Sequence, residues 1–316
     1  MRRFLIVIAL IALAIFALTR CTGGGAPRDV DVVIAQGSSL TAAANALEKA
    51  GAIGSADSFL TNAKLFGGGD PIKPGEYRIK KGMDADDILA LLQSGKVLQR
   101  LVAVPEGMPS ILVYERLMAT PLLTGSSAVP PEGSVLPDSY SYVRGETRAA
   151  VLGRMQKAMQ TVLANAWKAR KPTTAVTTPE QAIILASIIE KETARASERG
   201  TVAAVYTNRL KRGMPLQADP TTIYPITRGK PLGRRILRSE LDAVNGYNTY
   251  RINGLPVGPI TNPGKASIEA ALDPARSSAL YFVAQGDGSS AFADTLEQHN
   301  ANVQKWYAHR RAKGEM

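Results

Sequence analysis

The chain has 316 residues, of which 45% are hydrophobic and 21% charged, a composition typical of a folded protein with room for two domains. Its single cysteine, Cys21, excludes an intramolecular disulfide. Lysines and arginines outnumber acidic residues by 38 to 27, and this net charge of +11 would suggest nucleic acid binding in a cytosolic protein. The export signal described next argues against a nucleic acid partner and leaves anionic lipid headgroups or an acidic wall polymer.

The first predicted element is a membrane-inserting segment. An apolar run from Phe4 to Leu18 follows Met1-Arg2-Arg3, and arginines before such a run keep that end in the cytoplasm. The run spans about 22 Å as a helix, less than a hydrocarbon core of about 30 Å. A cleaved signal peptide and a lipoprotein modified at Cys21 are therefore alternatives. We favour an uncleaved signal anchor at residues 1–21, which passes once through the cytoplasmic (inner) membrane with its N-terminus inside.

A linker at 22–30 leads into a small α/β module at 31–104. Residues 32–34 predict a strand, and Pro74-Gly75 predicts a turn that leads into a second strand ending at Ile79. Asp84 is predicted to be the N-cap of a helix. A last strand, Val97 to Val104, is predicted to close the unit. The remaining predicted elements are helices at Leu40 to Lys49, Ala56 to Phe66 and Asp84 to Leu92. No catalytic cluster occurs in this part of the sequence.

Residues 105–316 predict a second domain that begins at Pro105-Glu106-Gly107. A loop rich in Pro, Gly and Ser at 121–138 precedes its helices, and the stretch Met214 to Ser278 is typical of a groove built from loops. The predicted elements are helices at Arg148 to Ala169, Pro179 to Thr193, Val202 to Arg212 and Gln298 to Arg311, and a hairpin of Leu280 to Gln285 with Ser290 to Thr295. The whole pattern predicts an α+β fold: a membrane helix, a small α/β module, and a mixed α/β domain with a helical core and a loop-built groove.

Glu192 is the strongest catalytic candidate. Helical spacing places it on the same face as Leu185, Ile188 and Ile189, while Glu190 points roughly 160° away. Partial burial on an apolar face raises the pKa of a carboxyl, which suits a proton donor at neutral pH. The alternative is a capping or ion-paired glutamate, with Lys191 or Arg195 as its partner.

The sequence lacks the residues that other common catalytic mechanisms require. Only His299 and His309 are present, so neither a zinc site nor a Ser/His/Asp triad is expected, and we predict no metal and no cofactor. Gly286-Asp-Gly-Ser-Ser-Ala291 matches a loose dinucleotide fingerprint but occurs in a predicted turn. Carboxylates in an exported protein favour cleavage of a glycosidic bond. Two clusters, Leu216 to Thr221 and Tyr247 to Tyr250, suit a saccharide groove or, alternatively, turns with local hydrogen bonds.

The chain resembles the membrane-bound endolytic murein transglycosylases (MltG, or YceG-like proteins) over roughly Asp31 to Tyr307. The resemblance is carried by Leu185-Ala-Ser-Ile-Ile-Glu-Lys-Glu-Thr193, Ala196-Ser-Glu-Arg199, Val202-Ala to Asn208-Arg-Leu210, Gly213-Met-Pro-Leu-Gln-Ala-Asp-Pro220, Tyr247-Asn-Thr-Tyr250, Gly254-Leu-Pro256 and Leu280-Tyr-Phe-Val-Ala284. It implies that 31–104 is a LysM-like membrane-proximal module and 105–316 the catalytic domain, outside the cytoplasm or in the periplasm.

The resemblance also implies the activity, which is cleavage of MurNAc-GlcNAc β-1,4 bonds within peptidoglycan strands to give 1,6-anhydroMurNAc ends, terminating nascent strands. Glu192 is then the catalytic residue. Expected partners are glycan strands, the membrane and peptidoglycan synthases of the elongation or division machinery. The expected substrate-binding residues are Gln217, Asp219, Thr221, Tyr247, Asn248 and Thr249, with Glu190, Glu198 and Asn208 in supporting positions. A hydrolytic muramidase that also uses Asp219, and a wall-binding scaffold without activity, remain as alternatives.

Overall fold

The computed structural model describes residues 25–314, which form two compact units. One unit contains the described residues up to Arg100 together with Ser141–Gly145, and the other contains Leu101–Tyr140 and the residues from Glu146 onward. The predicted signal anchor at 1–21 lies outside the described residues. Within 25–314 there is no helix long and apolar enough to cross a membrane.

The first unit is a two-stranded antiparallel sheet with three helices. Strand β1 (Val30–Ile34) pairs with β2 (Gly75–Ile79), and Val32 lies opposite Tyr77. The helices are α1 (Leu40–Lys49), α2 (Ala56–Phe66) and α3 (Ala85–Ser94), and each begins at a side-chain N-cap, namely Ser39, Ser55 and Asp84. These three helices and the two strands agree with the sequence prediction, because caps and apolar spacing are local signals.

Tyr77 belongs to the core of this unit. Its side chain is fully buried, and its hydroxyl donates hydrogen bonds to the carbonyl oxygens of Lys73 and Leu92, at 2.7 and 3.3 Å. A ring held in this way stabilises the packing of β2 against α3 and has no surface to offer a sugar.

The last strand of this region is shorter than predicted and does not join the sheet of β1 and β2. Strand β3 is Arg100–Ala103, shorter than Val97 to Val104, and it pairs with β4 (Ser139–Tyr142) rather than with β1 or β2. An alternating apolar pattern indicates a strand but does not identify the strand beside it.

The second unit is mainly helical, and α6 runs through its core. Five apolar side chains of α6 are fully buried, those of Ala182, Leu185, Ala186, Ile188 and Ile189. Helix α6 packs against α5, α7, α8 and α10, and the hairpin of β5 and β6 packs on α11. The elements are α4 (Ser110–Ala119), α5 (Arg148–Ala169), α6 (Pro179–Glu192), α7 (Ala196–Lys211), α8 (Asp219–Thr227), α9 (Arg238–Asp242), α10 (Lys265–Leu272), β5 (Tyr281–Ala284), β6 (Ser290–Ala293) and α11 (Leu296–Ala312).

The mixed α/β class with small antiparallel sheets is confirmed, but three details of the second unit differ from the prediction. Helix α7 begins at Ala196 rather than Val202, α4 was not predicted, and the stretch Met214 to Ser278 contains α8, α9 and α10 as well as loops. Helix α8 has Pro220 in its first turn and Pro225 inside it. Prolines are typical of loops, but one in the first turn costs a helix no hydrogen bond.

Candidate active site

Glu192 is the last residue of α6. The helix begins at Thr178, whose hydroxyl accepts a hydrogen bond from the Gln181 amide, and it ends at the C-cap Thr193. Leu185, Ile188 and Ile189 are fully buried, as helical spacing predicts for the face that carries Glu192. Glu192 itself is half-buried, so its carboxyl lies at the edge of the apolar core.

This environment changes the acidity of Glu192. The pKa of Glu192 is raised from 4.5 to about 7, mainly by burial and also by the charge of Asp219. A hydrogen bond from the Tyr206 hydroxyl and the charge of Arg209 act in the opposite direction. Burial is the largest of these causes, and it leaves a carboxyl that holds and releases a proton near neutral pH.

Two side chains of α7, those of Tyr206 and Arg209, act on the carboxyl of Glu192. Tyr206 is 2% exposed, and its ring meets Phe282 edge to face at 6.1 Å between centroids. Burial raises the pKa of Tyr206, so it remains a neutral phenol that can donate to Glu192. One turn further on, Arg209 is 8% exposed and carries a positive charge toward the same carboxyl.

Arg209 also fixes the loop that follows α7. Its guanidinium donates hydrogen bonds to the carbonyl oxygens of Leu280 at 2.7 Å and Leu216 at 2.9 Å, and to the side-chain oxygen of Gln217 at 3.2 Å. A planar guanidinium with five N–H donors can hold several acceptors in one fixed geometry. The loop at Leu216 and Gln217 is therefore tied to the same residue that faces Glu192.

Gln217 and Asp219 present exposed side chains beside Glu192. Gln217 has a left-handed backbone with φ of 52°, which a non-glycine residue rarely adopts, and its amide donates to the Thr249 carbonyl at 3.1 Å. Asp219 is the first residue of α8 and accepts a hydrogen bond from the Tyr250 hydroxyl at 2.7 Å. The structure thus places two carboxyl groups, Glu192 and Asp219, at one site.

Three predicted substrate-binding residues lie behind this surface. Thr221, Asn248 and Thr249 are fully buried. The Thr221 and Thr249 hydroxyls are 2.8 Å apart, and Asn248 donates to the carbonyl oxygens of Leu241 and Ala243 at 3.0 and 2.7 Å. This placement differs from the prediction, because side chains without exposed surface hold the loops together rather than face a ligand.

Tyr247 is half-buried and packs on another aromatic ring. Its ring lies 4.9 Å from that of Tyr224, and burial raises its pKa. The Tyr224 hydroxyl in turn donates to Glu132 at 3.2 Å. Tyr247 therefore pairs with an aromatic ring of α8 and does not belong to the hydrogen-bonded group around Glu192.

The three supporting candidates make structural contacts. Glu190 accepts hydrogen bonds from the Gly264 amide at 3.0 Å and the Ser267 hydroxyl at 2.7 Å, on the side of α6 that faces α10. Glu198 accepts from the Ser290 amide at 3.0 Å, at the start of β6. Asn208 donates to the carbonyl oxygens of Ser277 and Ala279, at 2.9 and 3.0 Å.

The sequence analysis did not identify Tyr206 and Arg209 as site residues, and it included Tyr250 only as the last residue of the Tyr247 to Tyr250 cluster. Tyr206 and Arg209 are three apart and share one face of α7, so two polar side chains on a buried helical face were the available signal. Within residues 25–314 there is no group of three His, Cys, Asp or Glu side chains placed to hold a metal ion.

Known proteins resemble the chain over most of its length. The model of the YceG-like family matches residues 32–305. A protein of Bacillus subtilis (strain 168) called endolytic murein transglycosylase is 29% identical over 316 residues, which cover 90% of this chain and 86% of that protein. One of Streptococcus pneumoniae serotype 2 with the same name is 28% identical over 325 residues, covering 87% of this chain and 58% of that protein.

A solved structure supports the fold. The crystal structure of a putative YceG-like protein from Listeria monocytogenes superimposes with a TM-score of 0.56 at 28% sequence identity. The match covers 87% of this chain and 98% of the Listeria chain.

Proposed function

Because the chain belongs to the YceG-like family, we propose that it is an endolytic murein transglycosylase, the activity that its curated relatives are named for. It cleaves MurNAc-GlcNAc β-1,4 bonds within peptidoglycan strands and leaves 1,6-anhydroMurNAc ends. The observation that carries this proposal is Glu192, a half-buried carboxyl with a pKa of about 7 that faces Tyr206, Arg209 and Asp219.

Glu192 acts first as an acid. Its protonated carboxyl donates a proton to the glycosidic oxygen, the bond from that oxygen to C1 of MurNAc breaks, and the electron pair remains on the leaving GlcNAc. The positive charge that develops on the MurNAc ring has oxocarbenium character. The nearby negative charge of Asp219, which accepts a hydrogen bond from the Tyr250 hydroxyl, stabilises it.

Glu192 then acts as a base. As a carboxylate it accepts the proton of the MurNAc C6 hydroxyl while the C6 oxygen bonds to C1 and closes the anhydro ring. One proton has left Glu192 and one has returned, and no water is consumed. The hydrogen bond from Tyr206 keeps the carboxyl in one orientation for both steps.

The side chains around Glu192 divide into two groups. Gln217 and Asp219 are exposed and contact the sugar. Thr221, Asn248 and Thr249 hold the two loops from inside, and Arg209 anchors Gln217. Tyr247 supports α8 through its contact with Tyr224.

The experiment is an analysis of products. The full-length chain in detergent is incubated with purified peptidoglycan, and the released fragments are identified by mass spectrometry beside Glu192→Gln and the control Glu269→Gln, an exposed glutamate of α10. Anhydro-ended fragments from the parent and the control, but not from Glu192→Gln, are expected. Undiminished anhydro products from Glu192→Gln would refute its role.

A hydrolytic muramidase is the second candidate, and the proximity of Asp219 to Glu192 favours it. In that reaction water attacks C1, and the products carry a reducing end that is heavier by one water than the anhydro form. Asp219→Asn separates the two mechanisms, since a water-activating or nucleophilic carboxylate is lost in this variant. If the folded parent protein binds peptidoglycan but releases no fragments, a wall-binding scaffold is the remaining function.

The same family membership leads us to propose how the protein is placed in the cell envelope. Residues 1–21 anchor it in the cytoplasmic membrane, 31–104 form a LysM-like membrane-proximal module, and 105–316 form the catalytic domain outside the cytoplasm. There it terminates nascent strands beside peptidoglycan synthases.

The proposed membrane topology can be tested by labelling an introduced cysteine. In a Cys21→Ser background, Ala312→Cys puts a single thiol on the exposed end of α11. A membrane-impermeant maleimide should label it in intact spheroplasts, and labelling only after lysis would contradict the orientation.

A further inference from the structure

A groove next to Glu192 is not used by the mechanism above. It has a volume of about 470 Å³, within the range of about 300–1,000 Å³ that is usual for sites of small ligands. Helices α6 and α8 supply part of its wall, through Lys191, which follows Glu190 and precedes Glu192, and through Pro220, the neighbour of Asp219. The groove therefore begins one residue along the chain from each of Glu192 and Asp219.

The walls of the groove are mostly apolar. Met108, Leu112, Ile223, Leu232 and Ile260 line it, and Tyr224 is the one aromatic side chain among its described lining residues. A saccharide site needs several polar groups or an open aromatic face, and Tyr224 is packed against Tyr247. Walls of this kind suit small aliphatic side chains, such as the methyl groups of alanine.

Charged groups stand at the edge of the groove. Lys191 is exposed and makes no ion pair within the described residues. Lys230 contacts Glu115 at 2.6 Å, but both side chains are more than 40% exposed, and such a pair contributes only about 0–1 kcal/mol. A ligand carboxylate can therefore compete for either lysine.

A carboxylate, that of Glu106, also lines the groove. Glu106 is exposed and lies directly over Gly264, where any side chain would collide with it. The groove thus offers two cations for carboxylates and one anion for an amine. This pattern is complementary to a short peptide that contains alanine, free carboxylates and one free amine.

We propose that this groove binds the stem peptide that MurNAc carries in peptidoglycan. The stem contains alanines, free carboxylates and the amine of a diamino acid, and it branches from the sugar that Glu192 cleaves. This proposal rests on the proposed function, since it assigns the neighbouring groove to another part of the same substrate. The enzyme accordingly prefers strands that carry stems over bare glycan.

Binding is measured without turnover, so that the result does not depend on the catalytic proposal. Full-length Glu192→Gln protein in detergent is titrated by calorimetry with a GlcNAc-MurNAc pentapeptide and with the same disaccharide without its peptide. The peptide should tighten binding at least tenfold, which is about 1.4 kcal/mol. Equal affinities, or no measurable binding of the peptide-bearing ligand, would overturn the assignment.

Substitutions of the lysines that line the groove test whether the groove is where the peptide binds. Combining Lys191→Ala with Lys230→Ala should bring the ratio of the two affinities close to one, whereas Lys157→Ala, an exposed lysine of α5, should leave the ratio unchanged. If the lysine variants weaken both ligands equally, the groove binds sugar and not peptide, and the proposal fails.

Cleavage rates give a separate readout. The parent protein should cleave peptide-bearing strands with a kcat/KM at least tenfold above that for strands stripped by an amidase. Equal rates would refute the groove proposal and leave the proposed function intact, whereas cleavage of neither strand would count against the proposed function alone, because the titration still reports on the groove.

Discussion

Replacing Glu192 by glutamine tests the burial of its carboxyl through protein stability. Burial raises the pKa of this group from 4.5 to about 7, so the folded chain keeps a proton that the unfolded chain releases between these pH values. The contribution of Glu192 to stability is therefore fully present below pH 4.5, and it is lost as the pH rises through about 7. Above that pH the folded protein bears the full cost of a desolvated charge.

The magnitude follows from the two pKa values. Each tenfold change in proton affinity is worth about 1.4 kcal/mol, so the difference between 4.5 and about 7 corresponds to about 3 kcal/mol. Glutamine has nearly the same shape and no charge, and it can still accept the hydrogen bond from Tyr206. We expect Glu192→Gln to be more stable than the wild type by about 3 kcal/mol near pH 8, and equally stable near pH 4.

The assay is urea unfolding at both pH values, followed by tryptophan fluorescence. Trp167 and Trp306 are the two tryptophans of the chain and both lie in the second unit, so the signal reports on the unit that contains Glu192. Glu269→Gln, whose side chain is 55% exposed, is the matched control and should change the unfolding free energy by less than about 0.5 kcal/mol. Equal stability of Glu192→Gln and wild type near pH 8 would refute the argument that this carboxyl is desolvated.

Three further substitutions test the surroundings of Glu192. Tyr206→Phe removes the hydrogen bond that lowers the pKa of Glu192. The alkaline limb of the pH profile of kcat/KM should therefore move to higher pH, and the rate should fall about tenfold. A limb that stays at the same pH would exclude this contact. Arg209→Met leaves the buried carbonyls of Leu216 and Leu280 without their donor and should cost about 3 kcal/mol in urea unfolding, whereas Arg212→Met at an exposed position should cost little. Asn248→Ala removes the donor to three carbonyls and should lower the unfolding free energy by about 2–4 kcal/mol; a neutral effect would mean that Asn248 does not hold this loop.

The sequence determined the features that depend on neighbouring residues. Helix α5 has the predicted bounds, Arg148–Ala169, and Gly213 follows the end of α7 with φ of 65°, as the C′ position requires. The spacing of Leu185, Ile188 and Ile189 also placed Glu192 at the edge of a buried face. Helical period, caps and glycine conformation act within a few residues, so a single sequence contains the whole signal.

The tertiary structure decided which distant residues meet. The partner of β3, the burial of Asn248, and the contacts of Arg209 with Leu280, 71 positions away, all join segments whose local patterns are independent. The same holds for Asp219, whose place beside Glu192 depends on how α8 packs against α6. Periodicity indicates that a side chain is buried or exposed, but it does not indicate which group it faces, because that depends on the packing of elements far apart in the chain.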